Sequence, residues 1–169
     1  MTSTFSIRPA RTSDVAAIKR LVSPLAEKRI LMAKETVTYY ESLQEFRIAE
    51  TPEGEVIGCG ALHVMWEDLA EVRTLAAADH WRGHGVGHAL VGHLLDVAKS
   101  LGVSRVFCLT FEVDFFKRHG FDVMADQSAV DPEVYSELLR SHDEGVAEFL
   151  DLARVKPNTL GNTRMIKFL

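Results

Sequence analysis

Apolar positions recur with two alternating periods, about two residues in short stretches and about three and a half in longer ones, and the switching between them outlines the elements. A short strand is expected over residues 5–8. Thr12, Ser13 and Asp14 then offer capping side chains, and Val15, Ile18, Val22 and Leu25 follow at helical spacing, which predicts an amphipathic first helix. Pro24 should end or kink it. Residues 27–43 read as a loop and a second helix carrying Lys28, Arg29 and Lys34. Strands over 46–50 and 56–65 flank the turn-rich Thr51-Pro52-Glu53-Gly54-Glu55 in a hairpin. A strand over 71–77 runs into His80, Trp81, Arg82 and a glycine cluster. Val86, Leu90, Leu94, Val97 and Leu101 then mark a long helix, followed by a compact apolar strand over 103–110. Beyond it come a short helix ending near Gly120, a strand from Phe121, a helix opened by Asp131 with Pro132 in its first turn, and a last strand over 163–168. No linker, repeat or low-complexity tract interrupts the series, so one mixed α/β domain over residues 1–169 is expected.

Composition narrows what such a domain does. With 47% hydrophobic and 25% charged residues the chain can bury a proper core. A formal charge of −5 argues against nucleic acid as a partner, because gripping phosphodiester backbone requires a clustered basic face. Cys59 and Cys108 lie in short apolar runs and read as buried small hydrophobes, in keeping with a reducing cytoplasm. No apolar run approaches the roughly 20 residues of a membrane span, and the N-terminus lacks an apolar signal region.

The chemistry concentrates in Arg82-Gly83-His84-Gly85-Val86-Gly87, between a strand and a long helix. Glycines let backbone approach a ligand closely, and the first helical turn presents unpaired N–H groups with partial positive charge, so a pyrophosphate can sit there with Arg82 beside it. Read blandly, the same glycines make a tight strand-to-helix turn. Walker A spacing and the three-glycine dinucleotide fingerprint are both absent. His80, His84 and His88 recur every four residues without a clear third ligand, so no metal is expected; His84 and His88 read instead as edges of the phosphate loop.

Arg82, Gly85 and Gly87 match the acyl-CoA pyrophosphate loop of the GNAT superfamily of N-acetyltransferases, Arg/Gln-x-x-Gly-x-Gly/Ala, and the segment from Phe115-Phe116 to Gly120-Phe121 resembles its second marker. The resemblance implies the GNAT fold, a mixed, mostly antiparallel sheet flanked by helices, and acetyl-CoA as co-substrate. Within the superfamily the chain resembles the acetyltransferase domain of N-acetylglutamate synthase, through Ser23-Pro24-Leu25, Ile30-Leu31-Met32, the run from Ile57 to Leu62, and Ala70-Glu71-Val72. The better-known synthases carry a preceding kinase-like domain that binds the inhibitor arginine; this chain reads as a stand-alone short form. The implied acceptor is the α-amine of L-glutamate, in arginine synthesis. An edge strand or the C-terminal helix is a candidate homodimer contact, as superfamily members often form.

Site roles follow from the reaction and the resemblance. An amine must lose a proton before attacking a thioester, and Glu71 corresponds to the residue that draws it away. Backbone N–H groups around Leu75, Ala76 and Ala77 are expected to face the developing oxyanion and the pantetheine amides. Gly83, His84, Val86, Gly87, His88, Phe115 and Phe116 complete the expected CoA surface. Many superfamily members carry a tyrosine where Phe116 stands; Thr110 lies where the resembled synthases carry Ser/Thr residues, which implies a residue orienting a proton relay to the departing thiolate, and it otherwise reads as a strand-end cap. Lys34, Asn162, Thr163 and Arg164 are candidate acceptor-binding residues, together with Arg73, which shares a strand face with Glu71 where the synthases carry a small residue. Two other readings remain at this point: the same chemistry on another amine, and an acyl-CoA-binding module without turnover, which Phe116 suggests and Glu71 opposes.

Overall fold

A computed structural model describes residues 4–125, 130–152 and 161–169. Its centre is a seven-stranded sheet: β1 (Ser6–Pro9), β2 (Phe46–Glu50), β3 (Val56–Trp66), β4 (Leu69–Ala77), β5 (Arg105–Thr110), β6 (Asp122–Val123) and β7 (Thr163–Phe168). Their order is β1-β2-β3-β4-β5-β7-β6, and every pairing is antiparallel except β4 with β5. The helices are α1 (Val15–Glu27), α2 (Thr36–Glu41), α3 (Val86–Ser100), α4 (Val113–Lys117), α5 (Pro132–Leu138) and α6 (Glu144–Phe149). This is the GNAT fold expected above, with β4 starting two residues before Glu71.

Side-chain alternation sorts the core onto two faces. Leu62, Val72, Val106 and Cys108 meet α3 through Val91, Leu94 and Ala98, while Cys59, Ala61 and Ala76 meet α1 through Val15, Ile18 and Val22. Gly58 lets α3 lie close on β3: a Cβ there would fall 2.6 Å from Val86 Cγ1 and 3.0 Å from Leu90 Cδ1. Both cysteines are buried and unpaired, and burial pushes the Cys59 thiol up to about 12. Pro24 does not end α1, which runs on to Glu27. Ser23 and Pro24 face solvent, so the carbonyl that loses its helical partner can turn to water, and the helix stops only where Arg29 takes φ 58°. No helix among the described residues is long and apolar enough to cross a membrane.

Two irregularities in β4 create the site. Between Ala61↔Arg73 and Cys59↔Ala76, two steps on β3 oppose three on β4, a bulge centred on Thr74, whose φ is 56°. The bulge reverses the alternation, turning Ala76 to the α1 face that Glu71 and Arg73 also occupy. The second irregularity lies on the other edge. β4 pairs with β5 only at Leu69, Ala70 and Glu71, against Arg105, Val106 and Phe107. Beyond Glu71 the two strands diverge, leaving a wedge along β4 that leads to the loop before α3.

Candidate active site

At the closed end of that wedge lies a cavity of about 420 Å³. β4 supplies Glu71, Arg73 and Thr74; the segment after α1 supplies Ile30, Met32 and Lys34; the start of α6 supplies Asp143 and Gly145, with Glu148 a turn further on; and Asn162 precedes β7. Residues more than a hundred positions apart are brought together because β4 is central and three connections end beside it.

Glu71 is 5% exposed. Burial pushes its carboxyl above the ordinary carboxylate range; the opposing charge of Arg73 does not cancel this, and the Asp143 charge adds to it. Arg73 spans the two acids. Its Nη1 donates to Asp143 Oδ2 at 2.8 Å, and its Nη2 donates to Asp143 Oδ1 at 2.8 Å and to Glu71 Oε2 at 3.0 Å. Burial works against the Asp143 charge, but the Arg73 hydrogen bonds and charge outweigh it and hold the carboxyl at about 2. Asp143 is also the N-cap of α6, accepting from Val146 N at 3.1 Å, and lies 3.6 Å from His63 Nε2, whose Nδ1 meets Glu45 Oε1 at 2.8 Å. Lys34 Nζ lies 3.4 Å from Thr74 Oγ1, and burial followed by the Arg73 charge lowers its pKa.

The remaining expected acceptor and proton-transfer residues divide. Asn162 lines the cavity with a buried Oδ1 that accepts no hydrogen bond from the described residues. Arg164 donates to the Phe149 carbonyl and so ties β7 to α6. Thr163 pairs with Thr110 across β5 and β7, outside the cavity lining. Thr110 Oγ1 accepts from Glu112 N at 2.8 Å, the geometry of a strand-end cap, with its own O–H still a donor. Sequence reasoning missed Asp143, Gly145, Glu148, His63 and Thr74. An Asp N-cap before Val146, Ala147 and Phe149 is the signal that could have revealed α6.

The glycine loop expected to receive phosphate lies at the far end of the wedge. Gly83 and Gly85 take φ 81° and 78°, and a Cβ at either would meet nothing within 4 Å, so the loop presents an open backbone surface ending in the first turn of α3. Val86 through His88 form that turn, where N–H groups have no partner within the helix. The Val86 side chain itself is buried. Arg82 is exposed, 3.5 Å from Asp79. The His84 ring packs on Trp81, and Phe115 packs on Gly87 and His88. Phe116 is 5% exposed, edge-on to Phe115 and Phe121, and fills core. This combination fits the phosphate end of CoA: an open glycine backbone, N–H groups without a partner in the helix and an exposed arginine. Among the described residues no group of three or more His, Cys, Asp or Glu side chains is arranged to hold a metal.

Known proteins resemble the chain in sequence and fold. Residues 18–121 match the acetyltransferase (GNAT) family. An amino-acid acetyltransferase of Mycobacterium tuberculosis is 56% identical over 165 residues, covering 96% of this chain and 94% of the relative. The structure of Rv2747 from Mycobacterium tuberculosis in complex with CoA and NLQ superposes with a TM-score of 0.91 at 55% identity, covering 97% and 99% of the two chains. N-acetylglutamate synthase from Neisseria gonorrhoeae, complexed with coenzyme A and N-acetyl-glutamate, shares the fold with a TM-score of 0.78 at 24% identity, covering all of this chain and 36% of the synthase. Fold, phosphate loop and relatives agree that the chain belongs to the acetyltransferase (GNAT) family and is an acetyl-CoA-dependent N-acetyltransferase.

Proposed function

We propose that the chain acetylates the α-amine of a small amino acid, with L-glutamate the leading acceptor and arginine synthesis in the cytoplasm its setting. The observation that carries this reading is the buried Glu71 at the meeting point of wedge and cavity, with Lys34 on the cavity wall. The family relatives named for amino-acid acetylation support it, as does the bound N-acetyl-glutamate of the Neisseria synthase.

Each group then has a task. Lys34, presented by Thr74, meets an acceptor carboxylate. Glu71 takes the proton that the acceptor ammonium must lose; a carboxyl raised by burial is a stronger base than one in water. Backbone N–H groups of Leu75 and Ala77, which alternate to the edge of β4 that β5 has left while the Ala76 N–H turns to β3, face the negative charge that develops on the carbonyl oxygen. Val86 through His88, with Arg82, Gly83, His84 and Gly85, hold the pyrophosphate. Phe115 closes over that turn, and the Thr110 hydroxyl is the expected group for relaying a proton to the departing sulfur.

A second reading has its own observation. Carboxylates outnumber cations on the cavity wall, and the Arg73 fork is already taken by Asp143 and Glu71. That favours an acceptor with fewer negative charges than glutamate. Release of free CoA, measured over a panel of amino acids and amines with wild type and Glu71→Gln, separates the two. Turnover restricted to glutamate and lost in the variant is the expected result; preference for a different amine replaces the substrate while keeping the enzyme class.

A further inference from the structure

Two imidazoles meet at the start of α3, away from the acceptor cavity. His88 stands on the first turn of α3 and His119 just beyond α4, with His88 Nδ1 2.9 Å from His119 Nε2. The rings are 5.0 Å apart between centroids, and Phe115 lies against both, at 4.4 Å from His88 and 5.3 Å from His119. The Phe115 ring also rests on the α3 backbone, since a Cβ on Gly87 would sit 3.4 Å from it. The pair is thus packed onto the turn that carries the glycine loop.

Two ring nitrogens in hydrogen-bond contact share one proton: one ring donates and the other accepts. A second proton would put N–H against N–H and break the contact, freeing a ring to turn. The charges around the pair oppose that proton. Lys167 of β7 reaches over Gly120 beside His119, Lys117 and Arg118 precede it, and Asp122 of β6 is the nearby acid in sequence. The partial positive charge of the α3 N-terminus acts in the same sense. Burial, then the charge of His88, then that of Lys167 push His119 below the usual imidazole value.

An arriving anion reverses this balance. We infer that His88 and His119 form a proton-linked contact for the pyrophosphate of CoA: the pair takes up a second proton as the anion binds, the contact between the rings opens, and a protonated ring donates to a phosphate oxygen. The inference rests on the reading that the α3 N-terminus receives the pyrophosphate. Linkage fixes the direction. Binding that takes up a proton strengthens as pH falls, by at most about tenfold per pH unit for one proton.

The test is calorimetric titration of CoA and of dephospho-CoA into the full chain at about pH 7, in buffers of different ionisation heat. Dephospho-CoA removes the 3′-phosphate, which itself titrates at about pH 6, whereas the pyrophosphate charge is constant there. Wild type is expected to take up a fraction of a proton with both ligands. His119→Asn and His88→Gln should each abolish the uptake, flatten the pH dependence and bind about tenfold more weakly at about pH 6, the value of one charge-assisted contact. The two substitutions act from different elements, so a folding defect in one leaves the other to decide. Normal affinity without uptake, uptake that vanishes with dephospho-CoA, or uptake that survives both substitutions overturns the inference. Failure of wild type to bind CoA, or binding indifferent to Arg82→Ala and Gly85→Val together, would instead remove the phosphate-site reading beneath it.

Discussion

Arg73 is where β4 holds α6, and the strength of that hold can be worked out. Arg73→Met keeps the aliphatic stem and deletes the fork, with its three contacts of 2.8, 2.8 and 3.0 Å. The Asp143 carboxyl sits at about 2 in place of 3.8, and at about 1.4 kcal/mol per unit its ionised state therefore contributes about 2 kcal/mol to folding. Glu71, which is buried, loses its counter-charge as well, so the expected cost of Arg73→Met is at least about 2 kcal/mol. For a domain of this size a loss of about 2 kcal/mol lowers Tm by about 4–8 °C. The folded-state value lies below the unfolded one, so the contribution is complete above 3.8 and is lost as pH falls through about 2. The assay is urea denaturation of wild type, Arg73→Met, Asp143→Asn and the double variant, at neutral pH and at about pH 3. The two changes remove one interaction, so the double variant should lose clearly less than the sum of the singles. Because α6 walls the cavity, KM for the acceptor should rise more than KM for acetyl-CoA. Strictly additive losses would refute the argument, since Arg73 and Asp143 would then stabilise the fold independently.

Glu71→Gln should lower kcat by about 10²–10⁴ in the CoA-release assay. The Glu71 carboxyl is raised above 4.5 in the folded protein, so wild-type stability falls as pH rises through the window from 4.5 to the folded value, and the glutamine variant should melt at or above wild type at neutral pH. Lys34→Met should raise KM for carboxylate acceptors by about tenfold to a hundredfold, measured by initial rates at saturating acetyl-CoA. Gly145→Ala should weaken acceptor binding and lower Tm, because the new Cβ would fall 2.7 Å from Arg73 Nη2 and closer still to Glu71 Oε2.

Most of the sheet could be read from the chain because its strands are short apolar runs bounded by turn residues. β2 and β7 run over the residues their patterns predict, and the stripe from Val86 to Leu101 becomes α3. The glycine loop before α3 was legible for the same local reason: six consecutive residues carry it, and strand and helix flank it directly. Pro24 does not end α1 because the carbonyl it leaves without a helical partner lies on an exposed helix face, where solvent can take the bond. The bulge at Thr74 left no trace either. Threonine at φ 56° contradicts the local preference of a β-branched residue, and only pairing with β3 on one side and divergence from β5 on the other reveal it.

The cavity beside Glu71 was hidden for a different reason, and Gly145 illustrates it. Glycine in the first turn of a six-residue helix weakens the helical signal, so residues 144–149 read as an extension of nothing in particular. That same missing side chain is what lets α6 come down onto Glu71 and Arg73, since any Cβ would collide with both. Once α6 is there, its N-cap Asp143 meets Arg73, and an arginine that the alternation of β4 presents as an acceptor ligand becomes the clasp between strand and helix. Lys34, 3.4 Å from Thr74 on the cavity wall, is the cation that the proposed function sets against an incoming carboxylate. The divergence between Arg73 and Lys34 is therefore set by a helix the local pattern conceals. The two substitutions should separate accordingly: Arg73→Met in stability and acceptor KM together, Lys34→Met in acceptor KM with the fold intact.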